Sequence, residues 1–329
     1  MSNSKDGKTT SYGSVIAAVC LLALIIILPL ITVVRMTIFG IPISQYSENI
    51  FGKFQMIGLN TRITEMLSGG DYMESSEVLL GKEGWLFYKV TTDGTPLYDY
   101  MGINRFTDEE LEAIDAGLKA ESDEMSSRGI KYTVLTIPNK EQVYDIYMPD
   151  TIERISDTSR LDQLTEYLKD RGTDYTYINI TDTYMKYREN YPLYYKTDTH
   201  YTDEGAYLAL TKVMGLPEKM EEISFNRVAG FEGDLARISA TLDRYGDNSY
   251  EIDPATIPDE DKRDETLLII GDSFGDAMQH VAVHYYREVY YVGTLEYDPA
   301  MLDMYAPDAV IRECVERYLP RLTENKYAK

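Results

Sequence analysis

Histidine is the scarcest reactive residue in this chain, with three among 329 positions: His200, His280 and His284. His280 and His284 stand four apart, a metal-ligand spacing, but HVAVH lacks the glutamate of H-E-x-x-H, which favours a structural role. Asp198, His200, Asp203 and Glu204 are rich in oxygen donors, yet Thr202-Asp203-Glu204 more simply opens a helix, where acidic side chains favour the dipole. No metal and no cofactor is therefore expected. Cysteine occurs twice, and Cys20 lies inside a long apolar run, so Cys314 has no partner for an internal disulfide. That leaves the compartment open. Basic residues are also few: 32 Lys and Arg against 55 Asp and Glu give a formal net charge of −23, with no basic stripe. Such a balance repels phosphate backbones and argues against nucleic-acid binding. Gly-rich phosphate loops are missing, because GDSFGD at 271–276 has neither Walker nor dinucleotide spacing. No internal repeat is visible.

What the chain does have begins with an uncharged run of twenty residues, VIAAVCLLALIIILPLITVV, at 15–34. At ~1.5 Å per residue such a helix spans about 30 Å, the thickness of a bilayer's hydrocarbon core. It is too long for the apolar core of a cleaved signal peptide, so an uncleaved anchor is expected. Lys5 and Lys8 precede the span and Arg35 and Lys53 follow it, a small bias toward a cytoplasmic N-terminus. The expected layout is a short cytoplasmic tail (1–14), a transmembrane anchor (15–39), a membrane-proximal stalk with a hairpin (40–100), and an extracytoplasmic domain (101–329). Tyrosine is abundant, 29 residues against one Trp. Many are expected at the surface, where they would suit stacking on sugars.

Strands alternate with helices along the domain. EVLLGKEGWLFYKV (77–90) reads as a hairpin about Lys-Glu-Gly. Thr107 and Glu110 form a capping box before a helix that stops at Gly129, and IKYTVLTIP (130–138) is a buried strand. A second capped helix (156–172), strand YTYINI (175–180) and a helix capped by Thr202 (202–215) follow. Residues 216–262 are acidic and rich in Gly and Pro, and read as an irregular insertion or lid. TLLIIGD (266–272) is the clearest buried strand, succeeded by a helix (275–288), strand EVYYVG and the strand-helix pair PDAVIRECVERYL. The alternation predicts an α/β fold, a parallel sheet flanked by helices, with its site at the carboxyl ends of the strands.

Ser273 stands at such an end, between the clearest strand and a helix. That turn lifts Oγ from the sheet, and amides at the helix terminus can stabilise an oxyanion. A serine nucleophile needs an imidazole to take its proton, and the imidazole needs an acceptor for its other N–H. In KTDTHYTDEGA (196–206), Asp198 and His200 point to one side of an extended segment and fit those two needs. Gly-Asp-Ser is a common turn and Asp-x-His a common surface pair, but their joint occurrence beside strand ends favours a Ser273–His200–Asp198 triad.

These residues carry a resemblance. Gly271-Asp272-Ser273-Phe274 is similar to the serine block of SGNH hydrolases, with the order of the blocks permuted and the second block Asp-x-His. That arrangement resembles the SGNH-hydrolase-like domains of the alginate O-acetylation proteins and their Gram-positive DHHW-family relatives. VLLGKEGWLFY (78–88), IPNKEQVY (137–144), FEGDLARI (231–238), DTHYTDEGA and PDAVIRECVERYL resemble further blocks of that family. Tyr201 stands where the family usually has Trp, and Thr199 where the DHHW group has His; neither is expected to touch the proton relay. By resemblance, Gly233 and Asn139 are candidates for the oxyanion hole, and Lys140 and Tyr201 for substrate binding. The resemblance implies O-acetylation of an exported polysaccharide or cell-wall polymer at the cell membrane, with Ser273 carrying the acetyl group. It also implies a membrane-bound O-acyltransferase (MBOAT type) as donor partner. Two alternatives stand beside it: a carbohydrate acetyl-esterase, and a non-catalytic assembly partner of the acyltransferase.

Overall fold

The structure, a computed structural model, describes residues 77–90 and 94–324 together with Leu30 and Ser75. The apolar run at 15–34, apart from Leu30, and the stalk before the hairpin lie outside the described residues. Among the described residues no helix is long and apolar enough to cross a membrane.

In chain order the elements are β1 (Val78–Leu80), β2 (Leu86–Tyr88), α1 (Pro96–Tyr100), α2 (Asp108–Ser127), β3 (Lys131–Ile137), α3 (Lys140–Val143), α4 (Arg160–Arg171) and β4 (Thr176–Asn179). Then come α5 (Thr181–Tyr187), α6 (Asp203–Met214), β5 (Phe225–Phe231), α7 (Asp234–Ile238), β6 (Asp247–Ile252), β7 (Arg263–Gly271), α8 (Ser273–Ala282), β8 (Tyr286–Gly293), α9 (Ala300–Tyr305) and β9 (Ala309–Val315). The helix starts follow the local chemistry read from the sequence. Thr107 and Glu110 bond reciprocally at the head of α2, Ser159 and Asp162 do so at α4, and Thr202 accepts from the Gly205 amide at α6.

Five strands form one parallel sheet in the order β4-β3-β9-β7-β8. Strand side chains alternate between its faces. Leu267 and Ile269 join Leu135, Ile311 and residues of α6 and α8 on one side, while Leu268 and Ile270 join Val134, Val310 and residues of α2 and α4 on the other. Both faces are thus covered, as a parallel sheet requires. The last strand in sequence, β9, enters the middle, paired with β3 and β7. This brings three segments side by side at the carboxyl rim: Pro138–Lys140 after β3, Glu316–Arg317 after β9, and Asp272–Ser273 after β7. The hairpin is bonded to this rim, Leu86 N–H donating to Lys196 O (3.0 Å) and Tyr88 N–H to Glu141 Oε1 (2.8 Å).

Several expectations are corrected. Residues 216–262 are not irregular: β5 and β6 pair as an antiparallel ribbon with α7 between them, and a bulge sits at Gly230, whose φ is +94°. Most of β5, FNRVAGF, is exposed, with Asn226, Arg227 and Gly230 interrupting any apolar alternation, which hid its periodicity. The helix after Ser273 stops at Ala282, so His284 lies beyond it and the two histidines do not share a helix face. After β9 comes a 3-10 segment, Glu316–Glu324, that holds Pro320 in place of an α-helix. Many tyrosines are structural: Tyr144, Tyr184, Tyr194, Tyr201 and Tyr207 are buried in the core.

Candidate active site

Ser273 is the first residue of α8 and its side chain is exposed, while Asp272 caps the helix. Asp272 Oδ1 accepts from Phe274 N–H (2.9 Å) and Oδ2 from Val315 N–H (2.8 Å), which ties the turn to β9. Gly271 permits a close approach there, since a Cβ would lie 2.4 Å from Glu313 Oε2. The Ser273 amide is an unspent donor at the helix start, bonded to no other described residue.

His200 and Asp198 come from the segment before α6. Ser273 Oγ lies 2.7 Å from His200 Nε2, and His200 Nδ1 lies 2.7 Å from Asp198 Oδ1. The His200 amide also donates to Oδ1 (2.9 Å). Burial would raise the Asp198 carboxyl, but the His200 hydrogen bond and charge, with the amides of Asp234 and His200, outweigh it and lower it to about 2. An ionised Asp198 can only accept, so Nδ1 carries the proton and Nε2 presents its lone pair to Ser273. Burial would lower the imidazole; the Asp198 bond and charge and the Asp234 charge exceed that and raise it above its ordinary value.

Asp234, in the quoted FEGDLARI block but given no role by the sequence, completes this arrangement. Its amide donates to Asp198 Oδ2 (2.7 Å), and its carboxylate accepts from Thr199 N–H (2.8 Å) and Thr199 Oγ–H (2.6 Å). Asp234 Oδ2 lies 3.8 Å from His200 Nδ1, and Thr199 Oγ1 lies 3.3 Å from it. Thr199 therefore does touch the relay. A signal was present, because Gly-Asp opening a short helix offers both an amide and a carboxylate to one neighbour. Asp198, His200 and Asp234 offer atoms within 4.8 Å of one another, a possible cation cluster. The hydrogen bonds to Ser273, Thr199 and each other already engage those atoms, which suits a proton relay.

The four secondary candidates fall in different places. Gly233 abuts the relay, with no room for a Cβ (2.1 Å from Thr197 O), and its amide is bonded to no other described residue. Asn139 is fully buried, Nδ2 3.4 Å from Asp99 Oδ2 and its amide donating to Glu316 Oε2 (3.1 Å). Its bonds lead to the Asp99–Arg160 pair rather than to Ser273, so the oxyanion role does not fit it. Lys140, 2% exposed, donates to the carbonyls of Asp198 (2.6 Å), Tyr195 (3.2 Å) and Lys196 (3.3 Å). Its ammonium is lowered to about 8 by burial, against the pull of Glu141, Asp234, Asp198 and Asp247. Tyr201 is buried, and its hydroxyl donates to Phe274 O (2.5 Å). Both side chains serve the backbone that holds the relay, and the substrate contacts expected of them do not fit this placement.

With this geometry in view, residues 78–281 match the family described as SGNH hydrolase-like domain, acetyltransferase AlgX. A DHHW-family protein from Eubacterium siraeum has a similar fold, at 13% identity and TM-score 0.53 over 77% of this chain and 97% of that one. The O-acetyltransferase domain of Pseudomonas putida AlgJ is 20% identical over 74% of this chain and 92% of that one, at TM-score 0.47. Pseudomonas aeruginosa AlgX is 15% identical over 82% and 70%, at TM-score 0.48. No curated protein matches the chain.

Proposed function

The chain belongs to the SGNH hydrolase-like family of the acetyltransferase AlgX, and on that premise we propose that it is a membrane-anchored O-acetyltransferase of an exported polysaccharide or cell-wall polymer. The observation that carries this reading is the unbroken relay from an exposed Ser273 through His200 to Asp198, with both contacts at 2.7 Å. Ser273 Oγ attacks an acetyl carbonyl while His200 Nε2 takes its proton. The imidazolium, steadied by Asp198, then protonates the departing carrier and leaves an acetyl-serine. A sugar hydroxyl repeats the sequence in reverse: His200 removes its proton, the oxygen attacks the ester, and Ser273 recovers its hydrogen. The amides of Ser273 and Gly233 are the donors proposed for the oxyanion.

Anchoring rests on the apolar run at 15–34, and the extracytoplasmic side of the domain on the small charge bias around it. A membrane-bound O-acyltransferase is the proposed acetyl source, because activated acetyl carriers are made in the cytoplasm. The same relay serves an esterase wherever water outcompetes the sugar, so acceptor positioning decides between transfer and hydrolysis.

The test uses the full-length chain in detergent with p-nitrophenyl acetate, read for turnover and for an added acetyl mass, beside Ser273→Ala and His200→Ala. Turnover and acetylation lost in both variants support the relay. Acetyl recovered on an oligosaccharide marks a transferase and free acetate alone an esterase. Undiminished turnover in Ser273→Ala refutes the mechanism, and a folded but inert wild type points to an assembly partner.

A further inference from the structure

The buried and half-buried cations of this domain come with partners, and one departs from that pattern. Arg160 pairs with Asp99 (2.7 and 3.0 Å), Arg312 lies 3.2 Å from Glu121 Oε2, and Lys140 has its three carbonyls. Arg317 is 4% exposed, its Nε has no hydrogen-bond partner, and among the described residues no carboxylate oxygen pairs with it within 4.0 Å. What holds it is aromatic: the guanidinium lies 5.2 Å from the Phe274 ring centroid and 5.0 Å from that of Tyr318. The two rings flank the group, and among the described residues no carboxylate meets its N–H edge. Against burial, Asp272 and Tyr318 hold the guanidinium above its ordinary value, yet no carboxylate of the described residues sits on its edge, and an edge left open in this way can receive the charge of a ligand.

Phe274 links this group to the nucleophile's helix. Phe274 follows Ser273 in α8, and the His200 ring lies 5.0 Å from the same Phe274 centroid. The acids that face Arg317 are Asp272, Glu141 and Glu313. Asp272 is bonded to two amides, Glu141 accepts from Tyr88 N–H, and burial raises the carboxyls of all three, above all Glu313. None of them pairs with the guanidinium. A surface this small admits one oxygen atom more readily than a whole sugar carboxylate.

Resting on the acyl-transfer reading, we infer that Arg317 is a catalytic residue whose ligand is the oxyanion formed at the acetyl carbonyl. As the Ser273 Oγ–C bond forms, the carbonyl π pair moves onto oxygen and the hydroxyl proton passes to His200 Nε2. The alkoxide then meets the guanidinium together with the Ser273 amide. When the C=O bond re-forms, the leaving oxygen or sulfur departs with that proton and the charge at Arg317 is released.

The experiment compares the full-length wild type with Arg317→Met and Arg317→Lys. Its readouts are p-nitrophenyl acetate kinetics and the affinity of methylboronic acid, which forms an anionic tetrahedral adduct on a serine, followed by thermal shift and boron NMR. The inference expects kcat to fall about 10²-fold in Arg317→Met with KM nearly unchanged, as for loss of an oxyanion donor. It also expects boronate affinity to fall at least tenfold in both variants, with a melting temperature in Arg317→Met equal to or above the wild type's. Catalysis within threefold of wild type overturns it, and so does a raised KM at constant kcat or a loss confined to acidic acceptors. If Arg317→Met does not fold, Arg317→Lys with unchanged boronate affinity overturns it equally. Failure of the acyl-transfer reading looks different, since it is a wild type without Ser273-dependent turnover, and boronate binding is scored without turnover.

Discussion

Replacing Lys140 by Met removes an ammonium while keeping nearly the same buried volume, and separates two roles for this residue. Its three bonds run from a charged donor to the carbonyls of Tyr195, Lys196 and Asp198. Such bonds contribute roughly 1.5–3 kcal/mol each, and with two of them long the lower end applies, about 5 kcal/mol together. Against this, lowering the ammonium from 10.5 to about 8 costs about 3 kcal/mol, at ~1.36 kcal/mol per pH unit. The net loss is about 2 kcal/mol, or roughly 4–8 °C in melting temperature for a domain of this size. Activity should suffer more than stability. Asp198 O loses its shortest anchor, and a shift of ~1 Å in a catalytic group costs about 10²-fold in rate. The assay is p-nitrophenyl acetate kinetics at a temperature where both proteins are folded, with kcat falling about 10²-fold and KM within about twofold. A raised KM with kcat intact would mean that the ammonium reaches substrate, and activity within threefold of wild type would mean that it does not hold the relay.

The acid limb of the rate profile should lie above the ordinary imidazole value, because His200 works as a neutral base and its imidazole is raised. Asp234→Asn keeps the amide to Asp198 but removes one raising charge, so this limb moves to lower pH; an unmoved limb refutes that role. The stability His200 gains from its carboxylates is fully present below its unfolded value and fades as pH rises through the raised one. His200→Ala therefore destabilises more at pH 5.5 than at pH 9 in urea melts, and the reverse order would contradict it. Gly233→Ala drives a Cβ against Thr197 O, 2.1 Å away, and costs about 1–3 kcal/mol as overpacking with a loss of turnover. Unchanged melting and rate would show that the turn can yield. Tyr201→Phe frees Phe274 O and costs about 1–2 kcal/mol of stability with KM unchanged, and a raised KM would restore a substrate contact.

Much of this protein was legible locally. The Thr107 and Thr202 caps mark helices because each acts within three residues, while the anchor expected from the uncharged run at 15–34 lies outside the described residues apart from Leu30. The continuous apolar run Leu267–Ile270 of β7 announced a strand covered on both faces, and the turn after it announced an exposed serine. Asp198 and His200 stood out because two residues of extended chain place them on one side. The 216–262 segment was misread because its ribbon, pairing Phe225 with Ile252, keeps few apolar residues in register.

Residue types and spacings within a few positions pointed to most strands and helices of the sheet layer and to the three side chains proposed as the relay. Only the tertiary structure decided what surrounds it. Because β9 enters between β3 and β7, Glu316 and Arg317 come to stand between Asn139 and Ser273, and the ribbon returns Asp234 to a carboxylate 36 residues earlier. The same closure spends Lys140 and Tyr201 on backbone carbonyls and sets Arg317 between rings, with no carboxylate of the described residues within 4.0 Å. Those outcomes depend on which strands become neighbours and which charges find partners across the sheet, and no local pattern of residues encodes that.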